Sequence, residues 1–352
     1  MRRLLDTPRK RVIVLALVSW LVVLVAMEII RVPYVRLSPG PLFNVLAESD
    51  GEQIISIQGA EVFPVSGELD MTTVSERGGP YGDLTLFEAF GGWIDPSAAV
   101  VPTSLLYPPD TSGEAAQQQG ADQFSDSQEQ ARIAALREVG EPVQTRPWVI
   151  EVLPESPAND ILQHGDVVLA VNGRAVSGPA QLARIIQNAG PGASVTLDIT
   201  RDATDQSVTV VTGANPDEPD KGYLGVSLGV LADSPVTVDF NLDDVGGPSA
   251  GLVFALGIVD KLTPGDLVAG RRVAGTGTMD FDGSVGAIGG IAQKMAAARA
   301  DGATLFLAPK DNCDQIRDNV PDGLEIAAVE SLSQARDVLE GTRDPAGCPA
   351  IR

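Results

Sequence analysis

Residues 12–30 form an apolar run broken only by Ser19 near its centre and Glu28 at its far end. As a helix, that length covers about 28 Å, close to the hydrocarbon thickness of a bilayer, so the pattern predicts one transmembrane helix. Beyond it the periodicity weakens. Residues 54–57 and 68–74 read as short strands, and residues 108–127, rich in Gln, Gly, Ser and Asp, read as an exposed loop. An amphipathic helix is predicted over 127–139, with Ile133, Leu136 and Val139 on its apolar face.

From residue 148 to about 212 the pattern becomes a tight alternation of short strands and helices. Strand 149–153, a helical turn at 158–162, a Gly165-Asp166 turn and strand 167–171 follow one another, and Asn172-Gly173 marks a hairpin. Pro179 opens a helix carrying Leu182, Ile185 and Ile186, and strands 195–199 and 207–211 pair. The runs Val-Leu-Pro-Glu-Ser-Pro-Ala (152–158) and Leu-Gln-His-Gly-Asp-Val-Val-Leu-Ala-Val-Asn-Gly (162–173) resemble a bacterial PDZ domain. That resemblance implies a groove beside the helix at 181–188 that binds an extended peptide as an added strand. No Gly-Leu-Gly-Phe-like carboxylate-binding loop precedes Trp148. Residues 213–221, with Pro216, Asp217, Glu218, Pro219 and Asp220, read as a linker.

From residue 222 strands and helices alternate again. Val236, Val238 and Phe240 alternate with polar residues as in a half-buried strand, and residues 252–259 are apolar all round, which predicts a buried helix with Pro248 in its first turn. Ser249 then sits at that helix's N-terminus, where unpaired N–H groups and the positive dipole end could stabilise an oxyanion. Gly246 and Gly247 add backbone that can approach a substrate carbonyl closely. A second helix is predicted over 289–299 and ended by Gly302; in it Ile291, Lys294, Met295 and Ala298 fall at i, i+3, i+4 and i+7. Lys294 therefore lies on an apolar stripe, where desolvation lowers a lysine pKa towards that of a general base. Taken singly, each feature has a plainer reading: a glycine-rich cap around a buried serine, and a lysine that snorkels to water. Lys221, Lys261 and Lys310 are less suited, lying in a linker, at a helix end and in a loop.

Composition narrows the chemistry. A formal net charge of −22 argues against nucleic acid as a partner. The chain holds one histidine, His164, which excludes multi-histidine metal sites and leaves lysine as the candidate base; His164 is given no catalytic role. No metal-ligand spacing or phosphate-binding Gly-x-x-x-x-Gly-Lys-[Ser/Thr] motif occurs, so no cofactor, metal or ATP is expected. Cys313 and Cys348 have no CxxC spacing; they are either two free thiols or, if that end lies outside the cytosol, a disulfide.

The combination decides. Gly-Gly-Pro-Ser-Ala-Gly at 246–251, the stretch 276–290 ending in Ala-Ile-Gly-Gly, and Lys294 follow in the order found in the Lon proteolytic domain, which residues 236–339 resemble. The resemblance implies a Ser249–Lys294 dyad with Thr276 orienting the amine and N–H groups around Gly247 and Ser249 holding the oxyanion. Acids before the glycines occur only at Asp243 and Asp244. Later strands at 304–308 and 324–329, a helix at 314–319 and a Ser331/Gln334 capping box before a last helix agree with an α/β domain.

The expected architecture is a multidomain α/β (α+β) chain. It divides into a basic tip and transmembrane helix (1–33), an N-terminal region (34–147), a PDZ domain (148–213), a Lon-type domain (222–341) and a tail (342–352). Arg2, Arg3, Arg9, Lys10 and Arg11 precede the apolar run, which places that end in the cytoplasm and the catalytic domain outside the cell membrane. The length of the run and the poor cleavage site at 25–28 favour an uncleaved anchor over a signal peptide. The expected function is ATP-independent serine endopeptidase activity on extracytoplasmic or membrane-associated polypeptides, with membrane lipid as the other partner and a homo-oligomeric ring implied by resemblance. The competing reading is a noncatalytic membrane-tethered PDZ adaptor with a dead protease fold.

Overall fold

A computed structural model describes residues 8–49, 51–242 and 245–348. Arg2 and Arg3 of the basic tip, Asp243 and Asp244 of the serine loop, and residues 349–352 of the tail lie outside the described residues.

In chain order the principal elements begin with α1 (Pro8–Ile29), β1 (Tyr34–Asn44), β2 (Glu68–Gly78), α2 (Leu86–Ile94), β3 (Ala99–Pro102) and α3 (Gly113–Glu138). Then come β4 (Gln144–Val152), β5 (Val167–Val171), α4 (Pro179–Ala189), β6 (Ser194–Arg201), β7 (Thr204–Val211) and β8 (Val226–Asp233). The chain finishes with α5 (Gly251–Leu262), β9 (Arg272–Gly275), α6 (Ile291–Ala300), β10 (Leu305–Pro309), α7 (Cys313–Ile316), β11 (Glu325–Val329) and α8 (Leu332–Glu340).

These elements form two compact units, one made of residues 1–140 and 236–352, the other of residues 141–235. The expected boundaries are corrected by strand pairing. The N-terminal region does not stand apart from the Lon-like region, because β2 pairs parallel with β9 and antiparallel with β1 inside one six-stranded sheet of order β11-β10-β9-β2-β1-β3. Residues 222–235 belong with the PDZ-like region, because β8 pairs antiparallel with β4 from Val226↔Val152 to Asp233↔Gln144. Residues 213–221 are no linker: Gly213 and Ala214 pair with Tyr223 and Gly222, closing a hairpin within that unit.

In the first unit β2, β9, β10 and β11 run parallel. Ala274, Phe306, Ala308 and Ile326 pack in a cluster with Ile291, Met295 and Ala298 of α6. Val253 of α5 instead packs against Gly275, the next residue along β9, so alternation of side chains across the strand puts α5 and α6 on opposite faces. Every residue from Gly251 to Lys261 is buried, as the apolar pattern to Val259 requires, and the charged Asp260 and Lys261 are buried with it. Two of the short predicted strands pair with each other, Ile55–Gln58 against Thr237–Phe240. The last helix has its Ser331 cap, although the Gln334 side chain returns to the N–H of Glu330 rather than to that of Ser331.

The largest local departure from the sequence reading is α3. The predicted loop at 108–127 and helix at 127–139 are one 26-residue helix, begun by Ser112, whose side chain accepts the Ala115 N–H. Ala116, Gly120, Phe124, Ser127, Ala131 and Ala135 recur every three or four residues along it. Small residues carry little hydrophobic signal, yet they let α3 pack closely on α5, where the Phe124 ring meets Phe254 edge-on at 5.6 Å.

The second unit is an antiparallel sheet of order β7-β6-β5-β4-β8 with α4 beside it. The Asn172-Gly173 turn has both residues at positive φ, 49° and 74°, as a two-residue hairpin needs. Buried Asp166 receives two hydrogen bonds from the Arg201 guanidinium, at 2.7 and 2.6 Å. His164 is exposed, with Nδ1 2.7 Å from the Ile150 carbonyl and its ring edge-on to Trp148, a structural position. Cys313 and Cys348 form a disulfide that ties the tail to α7, settling the two alternatives left open by the sequence.

One buried acid near the end of α5 has a measurable consequence. Asp260 is fully buried; Oδ1 accepts the Leu267 N–H at 2.8 Å, while Oδ2 has no partner among the described residues. Burial raises its pKa from 3.8 to about 6. A raised carboxyl pKa means the folded state holds the proton longer than the unfolded chain, so this contribution is complete below about pH 4 and is lost as pH rises through about 6. Asp260→Asn keeps the shape and an acceptor for Leu267. In urea titrations its stability relative to the parent should improve by about 2–3 kcal/mol between pH 4 and pH 7.

Candidate active site

Three chain segments meet where the parallel strands end. Thr276 directly follows β9, Ser249 precedes Ala250, the N-cap of α5, and Lys294 lies in the first turn of α6. Gly290 starts α6 in the left-handed region at φ 67°, and a Cβ there would come within 2.6 Å of Val74 Cγ2 on β2. Only glycine lets α6 begin so close to the strand. Ser249 lies just outside the helix, two residues before its first residue Gly251, and Pro248 lies outside the first turn.

Lys294 is 3% exposed, and its Nζ lies 2.6 Å from Ser249 Oγ. The amine also donates to Thr276 Oγ1 at 2.9 Å, and the fully buried Thr276 hydroxyl donates to the Ser249 carbonyl at 3.0 Å. Thr276 therefore ties the lysine amine to the serine backbone. Burial lowers the Lys294 pKa from 10.5 to about 7. With the amine uncharged, the Ser249 hydroxyl becomes the donor across the 2.6 Å contact, the arrangement a general base requires.

The other lysines point elsewhere. Lys261 is buried too, but its Nζ donates to Gln53 Oε1 at 2.6 Å. Lys310 pairs with Glu330, and Lys221 lies in the second unit. Among the described residues no group of three or more His, Cys, Asp or Glu has the arrangement of a metal site.

Ser249 opens onto a cleft of about 720 Å³. Its walls include Thr72 to Glu76 of β2, the serine loop and the turn from Ala287 to Gly290. Buried Asn312 grips that turn on both sides: its Oδ1 accepts the Ile288 N–H and its Nδ2 donates to the Ile288 carbonyl, each at 2.9 Å. Asn312 carries no motif that sequence alone would single out, because its role arises only when α7 packs behind the turn.

A further wall is α3, through Gln123 and Phe124, which the sequence reading leaves out of the site. The Gly120 carbonyl accepts the Gly247 N–H at 2.8 Å, and buried Ser127 donates through Oγ to the Pro248 carbonyl at 3.0 Å. Gly251, the first residue of α5, has no room for a Cβ, which would meet Met279 at 2.7 Å and Ser127 Oγ at 3.0 Å. Gly246 and Gly247 do flank Ser249 in the cleft, as expected, but the Gly247 N–H is engaged by α3. The available signal was the three-to-four residue recurrence of small side chains in a stretch free of proline from 110 to 141.

The second unit has its own groove, of about 220 Å³, between α4 and the stretch from Gly222 to Leu228. β8 is the edge strand of that sheet, and it comes last in the unit. The loop leading into it, Gly222-Tyr223-Leu224-Gly225, has Gly225 at φ 73°. No such loop precedes Trp148; the Gly-Tyr-Leu-Gly loop follows β7 instead.

Residues 244–341 match the family model of the Lon protease (S16) C-terminal proteolytic domain, and residues 123–212 match that of the PDZ domain. The Lon protease of Citrifermentans bemidjiense is 38% identical over 117 residues, 29% of this chain and 14% of that protein. The Lon protease of Acinetobacter baumannii is 30% identical over 150 residues, 41% of this chain and 18% of that protein. The chain thus spans less than a fifth of the length of these relatives. The PDZ domain of an SdrC-like protein from Listeria monocytogenes aligns with 23% of this chain and 85% of its own, at 19% identity and a TM-score of 0.22.

The Lon-type match leaves out β1, β2, β3 and α3, although all four belong to the same unit and β2 and α3 line the cleft. Ser127→Ala removes one hydrogen bond to the serine loop without altering its backbone. A bond of this kind is worth about 1 kcal/mol, so labelling of Ser249 by a fluorophosphonate should slow by about fivefold to tenfold while the circular-dichroism spectrum is unchanged. By its matched segments the chain carries a PDZ domain and a Lon-type (S16) proteolytic domain.

Proposed function

We propose that this chain is a membrane-anchored endopeptidase that cleaves peptide bonds with a Ser249–Lys294 dyad. The observation that carries the reading is the 2.6 Å approach of Lys294 Nζ to Ser249 Oγ by an amine that burial has brought to a pKa of about 7. Uncharged Lys294 takes the hydroxyl proton as Oγ attacks the scissile carbonyl, then returns it to the departing amine. Water activated by the same Nζ releases the acyl group from Ser249. Thr276 fixes the amine during both steps. The tetrahedral oxygen is stabilised by the N–H groups of Ser249 and Ala250 at the positive end of α5, since that of Gly247 is held by Gly120.

The substrates are polypeptides in extended or unfolded form. Residues 72–76 of β2 present an extended wall to the cleft, and β8 offers a sheet edge beside α4 for a peptide added as a strand. The chain has no phosphate-binding glycine loop, and its cleavage proceeds without ATP. α1 contains a 19-residue stretch, Arg11–Ile29, long and apolar enough to cross a bilayer and with none of it buried, and serves as the anchor in membrane lipid. Arg9, Lys10 and Arg11 hold its start in the cytoplasm, and the Cys313–Cys348 disulfide fits an oxidising compartment for the rest. By family resemblance, copies assemble as a ring.

The full chain in detergent should degrade unfolded casein without ATP, and Ser249→Ala should abolish the products. Identical products from the two proteins would sink the dyad. Because the working form of Lys294 is neutral, kcat/KM should rise roughly tenfold per pH unit below about 7 and level off above it. Lys294→Arg, which keeps the charge but cannot give up its proton, should be as inactive as Lys294→Ala at every pH. Thr276→Val, nearly the same in shape, removes one partner from each of two buried contacts and should lower kcat by about tenfold to a hundredfold.

A further inference from the structure

The end of α1 is joined by hydrogen bonds to the start of α2. The Ile30 carbonyl accepts the N–H of Leu86, the first residue of α2, at 2.9 Å, and Arg31 and Val32 pair with Thr85 and Leu84 just before it. Wherever α1 leaves a bilayer, α2 begins.

α2 has two unlike sides. Ala89 and Gly92 are buried where the helix packs on β1 and β3, and a Cβ on Gly92 would lie only 2.6 Å from Val100 Cγ2. On the other side Phe87 and Phe90 are each 48% exposed, Trp93 55% and Ile94 69%. At 100° per residue these four positions fall within an arc of about 120°, forming one continuous apolar stripe. Charge does not interrupt it: the Glu88 carboxylate is turned back to the Thr85 N–H in a capping box and pairs with Arg77. The Trp93 ring is steadied edge-on against Tyr34 at 6.0 Å.

We propose that α2 is an in-plane membrane helix whose Phe87, Phe90, Trp93 and Ile94 insert into the leaflet from which α1 emerges. The inference rests on α1 being a membrane anchor. Its own support is the hydrogen-bonded continuity of the two helices and the aromatic make-up of the stripe, since Trp and Phe suit the boundary between headgroups and acyl chains. A chain of net charge −22 gains nothing electrostatically from an anionic surface, so the attachment is apolar and works on zwitterionic lipid. With α1 and α2 both engaged, the peptidase unit is seated on the bilayer instead of hanging from a single tether.

The chain has three tryptophans, Trp20 in α1, Trp93 in α2 and Trp148 in β4, which makes the test direct. Two single-tryptophan forms of the full chain, retaining Trp93 or Trp20 with phenylalanine at the other positions, are reconstituted in phosphatidylcholine vesicles. The lipids carry bromine either near the ester end of the acyl chains or near their methyl ends. Trp93 emission should be blue-shifted and should be quenched more by the shallow bromines than by the deep ones. Adding Phe87→Glu and Phe90→Glu, both already solvent-exposed positions, should cut that quenching by roughly half or more. If Trp20 is quenched and Trp93 is not, α2 stays off the membrane and the proposal is overturned while the anchor stands. A Trp93 emission that is blue-shifted but untouched by bromine, and that shifts red on dilution, would mean that a second copy of the chain covers the stripe, which overturns it equally. If neither residue is quenched, the anchor itself is wrong.

Discussion

A lysine amine held out of water beside a serine hydroxyl is the constraint around which the first unit is arranged. Burial brings Lys294 to a pKa of about 7, so keeping it charged would be costly and keeping it neutral makes it basic. That state survives only if the surroundings stay dry and the amine has a partner for its hydrogens. Thr276 supplies the partner, and Lys294 is buried on α6, the helix whose Ile291, Met295 and Ala298 belong to the core cluster with the sheet. Each of these features is ordinary core packing until Ser249 arrives within 2.6 Å.

What brings Ser249 there is not local to its own segment. The serine loop rests on α3, through Gly120 and Ser127, and α3 is 121 residues earlier in the chain at its Ser127 contact. The cleft wall opposite is β2, from the same early region, and β2 sits centrally in the sheet between β9 and β1. The first unit is therefore discontinuous, and the segment that matches the Lon-type domain by itself would lack the strand that pairs with β9 and the helix that holds the serine loop. Sheet edges left unpaired and an apolar helix such as α5 left uncovered are unfavourable in water, which gives the early segment a structural reason to be there as well as a place in the site.

Two polar residues show how positioning is spread beyond the reacting groups. Asn312 clamps Ile288 through both hydrogen bonds of its amide, fixing the turn that leads into α6, and its neighbour Cys313 is tied to the tail by a disulfide. Ser127 does the equivalent for the loop that leads into α5. Both are buried, so each hydrogen bond would leave an unpaired carbonyl or N–H if removed.

The sequence by itself determined the elements whose reasons are local. The all-apolar run of α5, the stripe that places Lys294 inward on α6, the Asn172-Gly173 hairpin and the apolar span of α1 were legible because period, capping and turn chemistry act over a few residues. The tertiary structure alone decided which segments share a unit, that β8 completes the PDZ-like sheet, and that α3 is one long helix forming part of the site. Those outcomes depend on pairing between strands far apart in sequence and on close approach of small residues, and neither leaves a strong periodic or hydrophobic trace in the chain.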